Sequence, residues 1–441
     1  MMFSRKDLTR IIIPLVLEQL LAVAIGMADT IMVTSVGEAA VSGISIVDSI
    51  NILLINIFTA LATGGAVVTA QYLGREDREQ ARLSGNQLLF STTLISLVIM
   101  TFCLFGQSWL LETLYGNVES AVMENARIYF FWSALSYPFL ALYNGGAALF
   151  RVMGNTKIAL FCSLLMNIVN IGGNAVLIYG FGMGVRGAAL ASLASRGLAA
   201  VVVIYLLRNP ACPLALDKTM FRPDRRMIAR IMKLGVPNGV ENSMFQIGKI
   251  LVQGVVASMG TVAMAANAVA NNIGCIPNIA GGAIGMALVT VVGQSIGAGR
   301  KEEAKQYILK LTGVTVVVMT AINLLMLVVV RPVVGVFGLS PETTATTVEI
   351  IFWYSIANIL FWPLSFTLPN GLRAAGDARF TMLVSTISMW VFRVGSCYLF
   401  CFVLGMGVNG TWFAMYADWI ARGVLFTWRF LGGRWQHKQI I

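Results

Sequence analysis

Hydrophobic residues run along this chain in long, almost uninterrupted stretches separated by short polar turns. A bilayer core about 30 Å thick needs ~20 mostly apolar residues per helix, and twelve stretches meet that requirement. They are 11–34, 43–70, 86–109, 126–149, 157–180, 187–207, 234–258, 264–294, 310–331, 347–370, 380–404 and 410–431. Glycine and β-branched residues are frequent inside them, which lipid tolerates in helices better than water does. Ten-residue segments of alternating polarity, the mark of a membrane β-barrel, are missing. The pattern predicts an all-α integral membrane protein with twelve transmembrane helices.

Composition agrees and narrows the choice. The 441 residues are only 12% charged, about half the ~25% of soluble domains. That excludes a soluble enzyme, a disordered chain and a compact nucleic-acid binder. The net charge of +11 is therefore informative through its placement. Of the 31 Lys and Arg, 24 fall in the N-terminus, the even-to-odd loops and the C-terminus, including Arg5, Lys6, Arg75, Arg78, Lys157, Arg300 and Lys301. Three (Arg127, Arg186, Arg331) lie in the opposite loops, and four (Arg196, Lys249, Arg393, Arg422) within spans. Cationic loops stay in the cytoplasm. Both termini are thus predicted to be cytoplasmic, in a multi-pass protein of the cell membrane. The first span is too long for a signal-peptide core and contains Glu18 and Asp29, so it reads as a retained helix.

Several kinds of chemistry have no foothold. The longest water-facing stretch, 208–233, is too short for a nucleotide-binding domain, and no GxxxxGK[ST] run occurs. The one histidine, His437, lies in the tail, with no HExxH and no nucleophile elbow. Six scattered cysteines form no CxxC spacing. The sequence predicts no enzyme and no cofactor.

The chain instead repeats itself. Pro14 and Glu18 recur as Pro237 and Glu241, 223 residues later. The same offset links Gly37 with Gly260, Gln71 with Gln294, Gly74 with Gly297, and GMGVxG at 182–187 with its copy at 405–410. Arg151 and Gly154 return as Arg373 and Gly376 at an offset of 222. Each copy holds six spans, an even number, so both enter from the same side. The predicted architecture is an N-lobe (1–207), a cytoplasmic linker (208–233) and a C-lobe (234–441). A pseudo-two-fold axis along the membrane normal would relate these two six-helix lobes, a geometry suited to alternating access.

Charges inside spans cost at least ~2.5–3.5 kcal/mol at the bilayer centre and are usually kept for a pathway, relay or partner. Five acids lie well inside: Glu18, Asp29, Asp48, Glu241 and Asp418. Asp29 is the leading candidate, with Glu18 about three helical turns earlier on the same face. A carboxylate there can exchange a proton or act as a hard oxygen ligand for a small cation. The fifth span adds amides on one stripe, Asn167, Asn170 and Asn174, although polar stripes also glue helices together. The second copy differs, with Val252 for Asp29, Arg393 for Asn170 and Cys397 for Asn174. The expected cation-coupling set is thus Asp29, Asn170 and Asn174, confined to the first lobe. Glu18, Asp48, Glu241, Met27, Met166 and Phe245 are candidates for a cargo cleft or proton relay, methionines being able to repack around varied ligands. Arg393 and Asp418 are expected to pair structurally across helices. Pro14, Pro138, Pro237, Pro277 and Pro363 can bend their spans.

With Pro14 followed by M-x-D-T-I-M-V around Asp29, Q-x-x-G turns at Gln71 and Gln294, R-x-x-G-(N/D) before spans five and eleven, and the asparagine stripe at 167–174, the chain resembles the MATE (multidrug and toxic compound extrusion) family over its whole length. The resemblance implies an antiporter driven by H+ or Na+ that exports amphipathic, often cationic compounds. It also implies a coupling site built on Asp29 and Asn170. Several family members carry a second Asp where this chain has Asn174, and one branch carries a carboxylate where it has Phe245. Small amphipathic substrates and membrane lipids are the expected partners, with no nucleic acid, and the chain is expected to act as a monomer. The alternatives are a flippase for a lipid-linked precursor, which would need a strongly cationic cleft, an exporter of an endogenous metabolite, a membrane-embedded enzyme and a passive channel.

Overall fold

Among the described residues, the chain forms twelve long helical rods. In the computed structural model, residues 2–116, 118–217, 222–438 and 440–441 are described, with the side chains of residues 25 and 27–30 outside that set. The rods are α1 (Arg5–Thr34), α2 (Glu38–Gly74), α3 (Arg78–Phe105), α4 (Ser120–Val152), α5 (Thr156–Gly180), α6 (Gly184–Leu207), α7 (Arg225–Ala257), α8 (Thr261–Gly297), α9 (Lys301–Gly335), α10 (Pro341–Ala374), α11 (Ala378–Val403) and α12 (Val408–Leu431). Eight are apolar and long enough to cross a bilayer by length and composition. The other four, α1, α4, α7 and α12, run 30, 33, 33 and 24 residues, also beyond the ~20 that a crossing needs. No strand occurs among the described residues.

The rods outrun their apolar stretches because polar caps extend them into the turns. Ser4 and Asp7 form a reciprocal capping box at the start of α1, and Asp77 and Ser340 cap α3 and α10. A short helix that hydropathy did not resolve, Gln107–Tyr115, follows the break at Gly106. The helix α7 begins at Arg225, inside the stretch 208–233 read as linker. The preceding residues are tied to α3: Arg82 donates to the Ala215 carbonyl at 2.7 Å, and Asn86 to Asp217 at 2.9 Å.

The internal repeat extends to individual backbone hydrogen bonds. After α2, the N–H groups of Arg75, Glu76 and Asp77 bond to the carbonyls of Gln71, Leu73 and Tyr72. After α8, Ala298, Gly299 and Arg300 repeat the pattern on Gln294, Ile296 and Ser295. Such C-terminal turns need a residue in the left-handed region, and the second copy supplies Gly299 (φ 74°) where the first uses Glu76 (φ 62°). The π-helical end of α5, Ala175–Gly180, likewise returns near the end of α11 as Leu399–Val403. Two further π-helical segments belong to the second copy alone among the described residues. Pro363–Thr367 interrupts α10, where proline removes a backbone donor, and Met389–Gly395 interrupts α11.

The chain separates into two units, Ser4–Gly239 and Val240–Ile440, with Phe3 belonging to the latter. In the first, α2 packs on α4 so closely that a Cβ at Gly43 would lie 2.9 Å from the backbone N of Ala126. In the second, Tyr354, Trp412 and Trp419 form the aromatic centre of a core shared by α8, α9, α10 and α12. Polar side chains run through that core as a connected network. Asn323 donates to Asn358 (3.0 Å), Asn358 to Asn278 (2.9 Å), and the Tyr354 hydroxyl to the Gly274 carbonyl (2.7 Å). Interhelical hydrogen bonds of this kind hold helices together in lipid, where apolar attraction between helices is weak.

Candidate functional site

In the first unit, the asparagine stripe of α5 splits into two parts. Asn167 donates back to the Ser163 carbonyl of its own helix at 2.8 Å. Asn170 reaches across to α6 and donates to the Ser192 hydroxyl at 3.2 Å. Asn174, fully buried, directs its amide at the Asn170 carbonyl oxygen at 3.5 Å. Asn170, Asn174 and Ser192 thus form a small hydrogen-bonded cluster of neutral polar side chains. It lies at the point where α5 changes from α to π geometry. Asp29 and Met27, the other first-lobe candidates, lie outside the described side chains. Met166 is half-buried on α5.

Asp48 sits in a separate chain of hydrogen bonds. The Tyr137 hydroxyl of α4 donates to Asn51 at 2.8 Å, and the Asn51 amide donates to Asp48 at 3.1 Å. Hydropathy alone left out Asn51 and Tyr137, although the three-residue spacing of Asp48 and Asn51 places them on one helical face. Nearby in sequence, Arg196 donates to Ser136 at 2.6 Å.

The two glutamates have the clearest assignment. Glu18 is buried and ion-paired with Arg151; Glu241 is buried and ion-paired with Arg373. These are the repeated P-x-x-x-E and R-x-x-G elements, now joined to each other within each unit. Arg373 also donates to Asn370 at 2.8 Å. The arginines hold both glutamates in fixed ion pairs. The remaining second-unit acid, Asp418, accepts from Arg422 at 2.8 Å and from Ser388 at 2.6 Å. This corrects the expected Arg393–Asp418 pair: Arg422 is one helical turn from Asp418 on α12 and reaches it along the same face. Phe245 lies beneath two guanidinium groups, 5.5 Å from that of Arg393 and 5.3 Å from that of Arg422.

The second unit also holds a half-open pocket of about 50 Å³ between α7, α8, α11 and α12, whose walls include the exposed Lys249 and Gln253 together with Asn267, Arg393 and Trp412. Lys249 and Arg393 form no ion pair among the described residues.

Comparison with known proteins bears directly on this double arrangement. The MatE family model matches residues 14–176 and again 237–399, so each repeat matches by itself and at the same 223-residue offset. YisQ, an uncharacterized transporter of Bacillus subtilis, is 29% identical over 96% of this chain and 94% of its own length. NorM of Thermotoga maritima, a probable multidrug resistance protein, is 25% identical over 99% of this chain and 94% of its own length. A crystal structure of MATE in the bent conformation matches with a TM-score of 0.90 at 19% identity, covering 97% of this chain and 96% of that one. That last likeness is one of fold.

Proposed function

The chain belongs to the MatE family, and from that premise we propose that it is a secondary antiporter exporting amphipathic, often cationic compounds across the cell membrane by alternating access. Inward flow of H+ or Na+ drives it, both termini face the cytoplasm, and no cofactor takes part. The reading rests on family membership over both repeats, together with relatives described as multidrug resistance proteins.

The coupling ion is assigned to the first lobe, at Asp29 with Asn170 and Asn174. One observation carries this choice: Asn170 leaves the backbone of its own helix to meet Asn174 and Ser192, whereas Asn167 of the same stripe does not. Amide and hydroxyl oxygens suit a small hard cation, and a carboxylate can hold either that cation or a proton. The driving force is sufficient, since the membrane potential supplies about 2.3 kcal/mol per charge per 100 mV.

Everted vesicles loaded with a cationic dye, with Na+ and pH gradients imposed separately, test the reading. One gradient should drive transport and Asp29→Asn should abolish it while the protein stays in the membrane. Transport indifferent to both gradients would sink secondary antiport. Undiminished gradient-driven transport in Asp29→Asn would remove Asp29 from the coupling site and leave antiport standing.

A further inference from the structure

The 223-residue offset turns the second-unit cavity into a comparison. Its wall residues Val252, Asn271, Arg393 and Lys249 stand where the first copy has Asp29, Asp48, Asn170 and Gly26. At each of these four positions the second copy carries one more unit of positive charge. The set holds two carboxylates and no cation in the first copy, and two cations and no carboxylate in the second. Across these four positions, two of which belong to the proposed coupling site, the charge therefore changes from two negative to two positive.

The hydrogen bonds around the cavity fix which way its neutral side chains face. The indole N–H of Trp412 can only donate, and it donates to Asn267 Oδ1 at 3.0 Å. Asn267 must then offer its amide N–H, which it gives to Gln253 Oε1 at 3.0 Å. The relay leaves the Gln253 amide with its –NH2 as the free end. Lys249 and Arg393 carry donors only. Arg393 covers Phe245 with one face of its guanidinium, and its buried Nε has no hydrogen-bond partner. Asp418 accepts from Arg422 and Ser388 on Oδ1 alone, its buried Oδ2 has no hydrogen-bond partner, and no ion pair joins it to Arg393 among the described residues. A π-helical turn, Met389–Gly395, carries Arg393, whereas its counterpart in α5 is regular α-helix; such turns occur frequently at functional sites. The space of about 50 Å³ is far below the ~300 Å³ of a small drug pocket. It exceeds the ~30 Å³ share of one water in the liquid, so it fits a single charged group.

We propose that this cavity binds a small monoanion through Lys249, Arg393 and the Gln253 amide, either the carboxylate of a cargo molecule or a free halide. A lobe that binds anions beside one that binds cations would extend the transport reading to zwitterionic and carboxylate-bearing compounds. The site itself needs no gradient and does not depend on Asp29, so it stands or falls separately from coupled export.

The test is equilibrium binding of radiolabelled benzoate and, separately, radiolabelled chloride to the purified full chain in detergent. Saturable binding near one per chain is expected, weakened about tenfold or more in Arg393→Asn and in Lys249→Met, as loss of a charge-assisted contact requires. The charge-preserving Arg393→Lys should bind more tightly than Arg393→Asn, which separates loss of charge from loss of fold. Benzoate binding that chloride fails to displace identifies the cargo carboxylate, and chloride binding alone identifies a free halide. Binding of neither probe, or equal affinity in wild type and Arg393→Asn, overturns the proposal. If Asp29→Asn loses coupled export yet binds the anion normally, the two sites are independent, as proposed.

Discussion

Replacing Glu18 by glutamine should destabilise the first unit by about 3 kcal/mol, and replacing the whole pair should restore most of that loss. Glu18 is 5% exposed and its partner Arg151 retains 21% side-chain exposure. A buried ion pair contributes little net stability, because desolvation offsets attraction, but removing one partner strands the other at a cost of about 3–5 kcal/mol. An arginine cannot shed its charge to escape. The partial exposure of Arg151 puts the value at the low end, roughly 150-fold in the folding equilibrium. Glu18→Leu with Arg151→Met removes both charges and keeps the bulk, and should lie within about 1 kcal/mol of wild type or above it. Denaturant titration in detergent, monitored by tryptophan fluorescence, measures both variants.

The same pair of variants decides between a strut and a relay. A strut predicts that dye export falls in Glu18→Gln through instability and recovers in the double variant. A relay predicts that export is lost in both, because the exchangeable carboxylate is gone from both. Single and double variants of equal stability would refute the coupling argued from the geometry. Parallel results are expected for Glu241 and Arg373, where Asn370 also loses a donor when the arginine is removed.

Four smaller tests accompany this one. Glu76→Gly should stabilise the chain by about 1 kcal/mol, since an L-residue at φ 62° is strained where the second copy uses Gly299; an unchanged or lower midpoint in thermal unfolding contradicts the strain. Asp77→Ala should cost about 1 kcal/mol by leaving the Gln80 N–H of the first turn of α3 without its cap, seen in the same assay. Tyr137→Phe should cost about 1 kcal/mol by removing the hydroxyl that donates to Asn51; no loss of stability would mean that the Asn51–Asp48 chain does not need it. Gly43→Val should cost about 1–3 kcal/mol, because even its Cβ would press into the α4 backbone; unaltered unfolding would show that the two helices separate easily.

The rods, their number and their pairing into two repeats were readable because each depends on local signals. Hydrophobic length sets a span, capping residues set its ends, and one offset relates the two halves. Partner choice inside the membrane was less readable. An arginine's side chain chooses among carboxylates by reach and helical phase, so Asp418 went to Arg422 on its own helix and not to Arg393. The Glu18–Arg151 and Glu241–Arg373 pairs were implicit in the sequence, since both members of each repeat at nearly the same offset. A pairing conserved between two copies of one unit is a contact signal that composition does not carry. The π-helical turn at Arg393 left no such trace, because no proline or glycine begins it and its first-copy counterpart is regular helix.

Divergence between the copies is where functional information concentrates. The elements that both lobes retain include the glutamate–arginine pairs, the left-handed turns and the π-helical end shared by α5 and α11. Those that differ include every charge at the four compared positions around the second-unit cavity. Two copies of one scaffold that kept their ion pairs and inverted the charge at four corresponding positions would divide the work, the first lobe handling a cation and the second an anion. Returning the second copy to the first copy's residues at two positions, Lys249→Gly with Arg393→Asn, measures this division. The double variant should lose benzoate or chloride binding by about a hundredfold if the two cations contribute independently. A loss no larger than that of Arg393→Asn alone would show that Lys249 plays no part in holding the anion.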